Sequence, residues 1–574
     1  MKSTSRPGLI ALYCCLILSP LWLLTMFHRG LWTPDEPREA DIAWRMSWQD
    51  DRSIPTLAGR AFPEKPPLAY WAAGAAAAAW PEHPAALRLP NFAYAWLTTI
   101  AIVLLAHAAG GTPAAWIAGL TSGTFLLGLQ ISSWLATDAA LMVGVTGALL
   151  GAWCGMHAET RRERLAWFAV MNASLAWAFL AKGPAAWLVP VCALLALLVM
   201  ERRWRVLRTA EFWLPVLIPT GAVLWWMAAA FRTPDGAHSL SVLLWANVAG
   251  RFTHLQSADA GGYSQGHRNF PGKYFVELPF YLAPWIFLFV AALRRAWHRA
   301  REPGGTAWRF ALAVWLVPVL ALSFASTARG IYFAPALPAC ALLIALWSAE
   351  TASNRDRFDQ VMLAATFVFV ALFVVVLFVL TSVVASTEAL LPSSAFLIIG
   401  ALIALAVLVL SRVHWRLGRT RSFVACLFIA FVVAFVSNAV VLLPAIDRWQ
   451  DIASVVRAVD RDTGTRTLVL YRPDETIVAL VDRLTARRGP VPDATTPAEA
   501  ARILHTHAPV AMLVLLRGHA EGPLDRRLRS WGIRLRAASA TPGELDELCT
   551  PLGLTAERIY EVPQGRRYAL LAQR

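Results

Sequence analysis

Apolar runs long enough to cross a lipid bilayer recur from Leu9 to Leu443. Because the hydrocarbon core is about 30 Å thick, a helix needs about 20 mainly apolar residues to span it, and about thirteen such runs can be placed. Their approximate centres are Ile17, Ile100, Leu120, Val145, Ala173, Ala193, Val223, Ile286, Val317, Leu342, Phe369, Leu402 and Ile429. With 57% apolar and only 16% charged residues among 574, the chain lies outside the range of soluble globular proteins. The sequence therefore predicts an α-helical, polytopic membrane protein.

Basic residues cluster in every second connection between the predicted spans. The formal net charge is +15, and strongly basic connections fall at 161–164, 202–208, 294–301 and 412–421, with a weaker one at 355–357. Cytoplasmic loops carry the excess of Lys and Arg, so this alternation predicts a cytoplasmic amino terminus and, for an odd number of spans, an external carboxyl terminus. Cations that punctuate apolar runs do not form the basic face of a nucleic-acid-binding domain, so we expect no nucleic-acid partner.

Three polar stretches are predicted to lie on the external side of the membrane. Two are loops of a transmembrane domain that covers 1–443, and they occupy 28–89 and about 232–275. The third, 444–574, has a pattern typical of a soluble α/β domain. Its predicted elements are helices at 451–460, 475–484, 498–504 and 524–531, and strands at 467–471, at 510–516 and near Ile533 and Tyr568. The domain contains no GxGxxG or Walker loop, so no nucleotide site is expected there.

The first external loop contains TPDEPREADIAWRM, which carries an acidic pair, Asp35 and Glu36. Pro37 can occupy the first turn of a helix, and the following apolar residues recur at helical spacing to about Trp48. This pattern favours an amphipathic helix on the membrane surface. The two carboxylates are either part of an active site or simply charges at a helix N-terminus, where the helix dipole favours them.

The same loop continues with FPEKPPLAYW, in which Lys65 follows Glu64. Two prolines fix the backbone directly after this pair. A lysine held beside Glu64, with Arg38 available from the preceding segment, could form a phosphate site through charge-assisted hydrogen bonds. The alternative is an ordinary set of salt-bridged surface charges.

Four further charged residues interrupt the predicted spans, and all four lie at external ends: Asp138, Lys182, Glu277 and Arg329. An ionisable group in lipid costs ~2.5 to 3.5 kcal/mol even on the lenient insertion scale. Each of them singly could be explained by snorkelling towards the interface. Their common side, next to the two charged loops, favours a shared outward-facing cavity.

The order of these motifs resembles a known family. An acidic pair after the first span, the EKPP segment followed by Tyr-Trp, TDAAL at Asp138, KGP at Lys182, and HRNFPGKYFVELPFYLAPW from His267 resemble the polyprenyl-phosphate-sugar-dependent glycosyltransferases of the GT-C superfamily. Within that superfamily the chain is most similar to the bacterial lipid A 4-amino-4-deoxy-L-arabinose transferases. The resemblance extends along the chain in order, including the spans and an external C-terminal domain.

The resemblance implies roles for particular residues. Asp35 and Asp138 are the candidate catalytic carboxylates, and the donor phosphate would be held by Arg38, Lys65, Arg329 and Tyr332. The same cavity would include Glu36, Glu64, Tyr70, Lys182, His267, Arg268 and Tyr274. Asp35 would be a general base, a stabiliser of an oxocarbenium-like sugar, or a partner for the ammonium group of an amino sugar.

The implied reaction transfers 4-amino-4-deoxy-L-arabinose, with inversion, from undecaprenyl phosphate to a lipid A phosphate at the periplasmic face of the bacterial inner membrane. Membrane lipids would surround the protein. No cofactor is expected to be required, although Glu64, His254 and His267 offer an alternative divalent-metal site. Two other functions stay open: a different polyprenyl-phosphate-sugar transferase, such as a protein O-mannosyltransferase, and a secondary transporter. Transporters usually carry ionisable groups near the bilayer midplane, whereas the groups here collect at the external ends of spans.

Overall fold

The protein is described by a computed structural model that covers residues 6–27, 29–80, 83–246, 270, 272–323, 329–351, 355–387, 394–485, 490–507, 509–516 and 545–573. Seven helices lead from the amino terminus into the membrane bundle. They are α1 (Pro7–Phe27), α2 (Asp35–Trp48), α3 (Leu68–Ala79), α4 (Pro84–Ser122), α5 (Leu126–Ser133), α6 (Asp138–His157) and α7 (Arg161–Lys182), and a short antiparallel hairpin of β1 (Thr56–Leu57) and β2 (Arg60–Ala61) lies between α2 and α3.

Eleven further helices complete the part of the bundle that the structure describes. They are α8 (Leu188–Met200), α9 (Ala210–Trp213), α10 (Leu217–Phe231), α11 (Gly236–Ser241), α12 (Lys273–Leu282), α13 (Ile286–Arg299), α14 (Thr306–Ser323), α15 (Leu337–Thr351), α16 (Arg357–Thr387), α17 (Ser394–Arg416) and α18 (Thr420–Trp449). Short 3₁₀ turns at Pro184–Trp187 and Gly330–Ala336 lead into α8 and α15.

The helices confirm a multi-pass membrane protein, with a different division into spans from the one predicted. Within the described ranges, ten helices are long and apolar enough to cross a membrane, or eleven if the bent pair α12 and α13 is one span. Each predicted centre lies in a helix, but two of them, Ile100 and Leu120, share α4. Gly111 breaks that helix between them with φ of +76°, a conformation that glycine adopts without steric cost. The predicted span at Ala193 corresponds to α8, which is shorter than the others.

The antiparallel pair α6 and α7 determines where two of the predicted site residues lie. The helices approach so closely that a Cβ added at Gly144 would stand 2.7 Å from Cβ of Ala178. Small residues permit this close packing between membrane helices. Because α6 begins at Asp138 and α7 ends at Lys182, the pair brings these two charged side chains to the same end of the bundle.

The C-terminal part folds around a five-stranded sheet. The strands are β3 (Thr467–Tyr471), β4 (Asp493–Ala494), β5 (Val510–Leu516), β6 (Leu554–Glu561) and β7 (Arg567–Gln573), in the order β4-β3-β5-β7-β6. β3 is parallel to β4 and β5, whereas β7 is antiparallel to β5 and β6. Within the described residues, four helices accompany the sheet: α19 (Ile452–Thr463), α20 (Glu475–Leu484), α21 (Pro497–Thr506) and α22 (Asp546–Leu552).

The predicted strands at 467–471 and 510–516 are confirmed, as are the helices near 451–460, 475–484 and 498–504 and the strand at Tyr568. β6 and α22 were not predicted. The predicted helix at 524–531 and the strand near Ile533 lie outside the described residues. The last membrane helix continues to Trp449, past the predicted domain limit at residue 443.

α2 is held between the membrane bundle and the sheet-containing domain. Nε of Arg45 donates to Oδ2 of Asp482 on α20 at 2.9 Å, and Asp447 near the end of α18 accepts the backbone N–H of Gly30 at 2.6 Å. The predicted helix to Trp48 is confirmed, and it is packed against protein: even its charged residues Glu36, Arg38 and Arg45 are buried. Enclosure on both sides fixes the directions in which the α2 side chains point.

Candidate active site

A cavity of about 620 Å³ lies where α2, α6, α8 and α14 meet the 3₁₀ turn at Gly330–Ala336. Its lining is of two kinds, which come from different elements. The charged lining comes from α2, the loop before α3, the ends of α6 and α7, and the residue before the turn: Asp35, Arg38, Glu39, Glu64, Lys65, Asp138, Lys182 and Arg329. The apolar lining comes mainly from membrane helices and includes Leu141, Leu188, Val189, Leu243, Pro318 and Leu322.

The structure brings most of the predicted site residues into this one cavity. Asp35 and Asp138, predicted as catalytic carboxylates, both line it, and so do all four residues predicted to hold a phosphate. Glu64 and Lys182 complete the group. These side chains come from positions as far apart as Asp35 and Tyr332, so the fold and not local sequence assembles the site.

Asp35, the first residue of α2, links two of the predicted phosphate-binding cations. Its Oδ1 and Oδ2 accept hydrogen bonds from the two terminal nitrogens of Arg329, at 2.9 and 3.1 Å. Oδ1 also lies 3.3 Å from Nη2 of Arg38. A two-point pairing of carboxylate with guanidinium fixes both groups in one plane, so Asp35 is oriented without being buried: 23% of its side chain is exposed.

Glu39 is a charged residue of the site that the sequence analysis missed. Its Oε1 accepts from Nζ of Lys65 at 2.6 Å and from Nη2 of Arg38 at 2.8 Å. Burial alone would raise the pKa of the Glu39 carboxyl, but the Lys65 ammonium and the Arg38 guanidinium outweigh burial and lower that pKa to about 2. Glu39 is therefore an anion that holds the two cations side by side. Its position four residues after Asp35, on the same helix face, was the sequence signal that could have identified it.

Asp138 and Lys182 form a further ion pair of the cavity. Nζ of Lys182 donates to Oδ1 of Asp138, and the same ammonium lies 4.8 Å from the ring centroid of Tyr332. A cation over an aromatic face is attracted by the ring quadrupole. These two contacts place the carboxylate, the ammonium and the ring of Tyr332 against one another in the cavity.

Two tyrosines of α12 lie close to the segment that carries Arg329. The hydroxyl of Tyr274 donates to the carbonyl oxygen of Arg329 at 2.9 Å, but Tyr274 is only 1% exposed and lies behind the cavity wall. Tyr281, which was not predicted, lines the cavity and donates its hydroxyl to Oε2 of Glu277. The prediction that Tyr274 lines the cavity is therefore wrong, and its hydroxyl contacts the Arg329 backbone from behind the cavity wall.

The prediction that Glu36 and Tyr70 line the cavity is wrong. Glu36 is 0% exposed and forms ion pairs with Arg29 and with Arg88, whose Nη2 lies 2.9 Å from Oε2. It also accepts the backbone N–H of Leu135 at 2.8 Å, so it ties the start of α2 to the membrane helices. Tyr70 is 2% exposed and packs in the apolar cluster between α2 and α3.

The predicted metal site cannot be assembled from the residues that the structure describes. His254, His267 and the cavity candidate Arg268 lie outside the described ranges. Within those ranges, no three His, Cys, Asp or Glu side chains are grouped as metal ligands. Glu64 alone of the predicted set is placed, on the cavity wall, and the metal site stays a prediction.

Together, the helical bundle, the charged cavity at one end and the sheet-containing domain define the fold of a multi-pass membrane protein. Two solved structures have this fold. The structure described as ArnT from Cupriavidus metallidurans bound to undecaprenyl phosphate matches with a TM-score of 0.70 and 16% identity over 98% of this chain and 97% of that one. The same protein in the apo state gives a TM-score of 0.66 and 17% identity, with 98% of each chain covered.

Comparisons of sequence point to more particular relatives. Residues 64–226 match the family model for dolichyl-phosphate-mannose-protein mannosyltransferase. The undecaprenyl phosphate-α-4-amino-4-deoxy-L-arabinose arabinosyl transferase of Pseudomonas paraeruginosa is 29% identical over 327 residues, and that of Pseudomonas aeruginosa is 30% identical over the same length. The Yersinia enterocolitica protein of the same name is 25% identical over 355 residues, which is 61% of this chain and 60% of the relative. For both Pseudomonas proteins, the match spans 56% of this chain and 56% of the relative.

Proposed function

We propose that the protein is an inverting glycosyltransferase that moves 4-amino-4-deoxy-L-arabinose from undecaprenyl phosphate to a lipid A phosphate. The observation that carries the proposal is the cavity in which carboxylates and cations from α2, α6, α7 and the Gly330–Ala336 turn meet an apolar lining. An amphiphilic donor needs both kinds of surface. The names of the partly matching relatives support undecaprenyl phosphate as the carrier and aminoarabinose as the sugar.

The cations of the cavity fit the phosphate of the donor. Arg38 and Lys65 are held side by side by Glu39, and Arg329 lies across Asp35 from them. When the glycosyl bond breaks, negative charge grows on the leaving phosphate, and preorganised cations stabilise that charge more than the ground state. Apolar residues of α8 and α14, such as Leu188 and Leu322, would contact the adjoining prenyl chain.

The carboxylates fit the sugar and the acceptor. An acceptor phosphate is already anionic, so the reaction makes little demand on a general base. Asp35 and Asp138 would then stabilise positive charge, either on an oxocarbenium-like sugar in the transition state or on the ammonium group of the amino sugar. Asp35 is the better candidate for direct contact because 23% of its side chain is exposed, compared with 5% of the Asp138 side chain.

The proposed site is at the periplasmic face of the inner membrane, with the amino terminus in the cytoplasm. α7 begins in the basic connection at Arg161 and ends in the cavity at Lys182, so the cavity and this basic connection lie at opposite ends of one span. Because basic connections favour the cytoplasm, the cavity faces outwards. The proposed domains are a transmembrane transferase domain over 1–443 and a periplasmic domain over 444–574.

Lipid A mass spectrometry tests the function directly. Expression of the protein in a strain that makes the aminoarabinose donor but lacks its own transferase should add the mass of one or more aminoarabinose groups to lipid A. A variant in which Lys65 is replaced by Met is the matched control. Unchanged lipid A with correctly inserted protein would contradict the proposal.

A second candidate follows from the match of residues 64–226 to the protein mannosyltransferase family model. On the same scaffold, the cavity would then accept a polyprenyl-phosphate mannose and a protein hydroxyl. A hydroxyl needs deprotonation, so Asp35 would have to act as a base. Mannose on a periplasmic protein, together with unmodified lipid A, would select this candidate. Solute uptake by proteoliposomes, with no transferase activity, would instead select a transporter.

The packing of Gly330 against Tyr281 predicts a smaller effect on transfer. A Cβ at residue 330 would lie 2.7 Å from the hydroxyl oxygen of Tyr281. Gly330→Ala should therefore displace Tyr281 or the neighbouring Arg329 and lower the transfer rate about tenfold, as overpacking by one methyl group costs about 1 to 3 kcal/mol. The rate would be measured with purified protein and lipid-linked donor.

The double variant Gly330→Ala/Tyr281→Phe provides the control, because it removes the oxygen that the new methyl group would meet. Partial recovery of the transfer rate is expected relative to Gly330→Ala. If Gly330→Ala alone retains the full rate, the close contact does not position Arg329.

A further inference from the structure

Arg38 is surrounded by carboxylates before any donor binds. Its Nη2 contacts Glu39 at 2.8 Å and Asp35 at 3.3 Å, and its Nη1 contacts Glu475 of the C-terminal domain at 2.6 Å. Glu64 is farther away, 4.0 Å from Nη1. A phosphate that pairs with this guanidinium therefore has to take a position that a protein carboxylate already occupies.

Charge balance leads to the same conclusion for the whole cavity. Four cations, Arg38, Lys65, Lys182 and Arg329, line it among the described residues. The carboxylates that line it or contact Arg38 are Asp35, Glu39, Glu64, Asp138 and Glu475. Among the described residues, the cavity thus has no surplus of positive charge to attract an anion, so withdrawal of one carboxylate would favour donor binding.

Glu39 and Asp35 are held too firmly to be that carboxylate. Glu39 accepts from Lys65 as well as from Arg38, and these two cations lower the pKa of its carboxyl against the opposing effect of burial. Asp35 is paired at two points with Arg329. Either one would have to give up contacts to a second cation.

Of the three carboxylates within hydrogen-bond distance of Arg38, Glu475 has the fewest other contacts. Its Oε2 contacts Arg38, but its Oε1 is buried with no hydrogen-bond partner in the part of the chain that the structure describes. Burial raises the pKa of the Glu475 carboxyl above its ordinary value, although Arg38 opposes this effect. Glu475 is the first residue of α20, so a small shift of that helix would withdraw it.

We infer that Glu475 is an internal competitor for the anion position on Arg38, which a lipid-linked phosphate must displace in order to bind. The inference rests on the proposed function only in that the ligand of Arg38 is a polyprenyl phosphate. It gives the C-terminal domain a part in donor binding: α20 occupies the phosphate position in the resting protein and releases it to the donor. Binding is then weaker than the cations alone would allow, because only the fraction of molecules with Glu475 withdrawn is competent.

The test is the affinity of the full-length protein, in lipid nanodiscs, for undecaprenyl phosphate. Glu475→Gln keeps the size of the side chain and removes its charge, so it should bind undecaprenyl phosphate about 3- to 10-fold more tightly than the unaltered protein. The gain should disappear when Arg38→Gln is added, because the two residues then no longer interact.

Asp493→Asn is the matched control. Asp493 also pairs the C-terminal domain with the first external loop, through Arg60 at 2.5 Å, but it makes no contact with Arg38. Its affinity should stay within about twofold of the unaltered protein, as expected for an exposed ion pair. A comparable gain in Asp493→Asn would mean that looser domain contact in general, and not Glu475, controls binding, and would overturn the inference.

The remaining outcomes separate this inference from the proposed function. If the unaltered protein binds undecaprenyl phosphate but Glu475→Gln binds it equally or more weakly, Glu475 is not a competitor, and the transferase proposal stands. If neither protein binds undecaprenyl phosphate, the proposed donor is wrong and the inference fails with it. Because the assay contains no sugar, a wrong assignment of the transferred sugar does not affect the result.

Discussion

Asp35→Asn is expected to lower kcat about 10²- to 10³-fold and to leave the affinity for undecaprenyl phosphate unchanged or higher. The asparagine keeps the shape and one hydrogen-bond acceptor but loses the negative charge that faces the proposed sugar. The same change removes an anion from beside Arg38 and Arg329, which favours a phosphate. Steady-state kinetics of sugar transfer and direct lipid binding, both with purified protein, measure the two effects separately.

Comparison of Asp35→Asn with Arg329→Gln shows whether the Asp35 carboxylate acts on the sugar or only orients Arg329. If Asp35 mainly positions Arg329, both variants should weaken lipid binding and raise KM together. If Asp35 acts on the sugar, only Asp35→Asn should lower kcat with binding retained. Full transfer activity in Asp35→Asn would remove the residue from the scheme.

The adjacent pair Asp35 and Glu36 shows how far the sequence could determine the site. Successive residues of a helix point about 100° apart, so the two carboxylates point in different directions. The sequence identified the acidic pair but not which member faces the ligand. The choice depends on Arg29 and Arg88, which surround Glu36 and draw it into the core. Tertiary ion pairs of this kind leave no local pattern.

Glu475 marks the opposite limit of sequence reasoning. It lies 437 positions from its partner Arg38, in a segment whose helix was predicted correctly but without any connection to the cavity. Nothing in the composition of that helix distinguishes a carboxylate at a domain contact from an acidic residue in the first turn, where the helix dipole favours it. Only the packing of α20 against α2 places Glu475 next to Arg38.

The presence of many membrane-spanning helices could be predicted because hydropathy depends on composition, which is read directly from the sequence. The way the apolar segments divide into separate helices could not be predicted, because breaks in helices depend on backbone geometry. Gly111 interrupts α4 without a loss of hydropathy, and α12 meets α13 at a bend of 119° within a continuous apolar run. The glycines and prolines near these breaks were visible in the sequence, but their effect on span number was not.

Lys65→Met is expected to lower transfer about 10²-fold or more and to weaken undecaprenyl phosphate binding. Lys65 carries a partly buried ammonium that lines the cavity, and its main contact is Glu39 at 2.6 Å. Methionine keeps the length and the apolar stem but removes the charge that would face the phosphate. Transfer kinetics and lipid affinity of the purified variant check the expectation, and insertion is confirmed by its yield in the membrane fraction.

A complication is that Lys65→Met also removes a partner of Glu39, and a buried carboxylate that loses a cation is costly. That cost alone could distort α2 and abolish activity without any role for Lys65 in binding. The double variant Lys65→Met/Glu39→Gln separates the two causes because it leaves no carboxylate at residue 39 without its lysine. If the ammonium binds the donor phosphate, the double variant should be as inactive as Lys65→Met. Recovery of transfer in the double variant would show that Lys65 serves Glu39 and not the donor, and the phosphate would then depend on Arg38 and Arg329 alone.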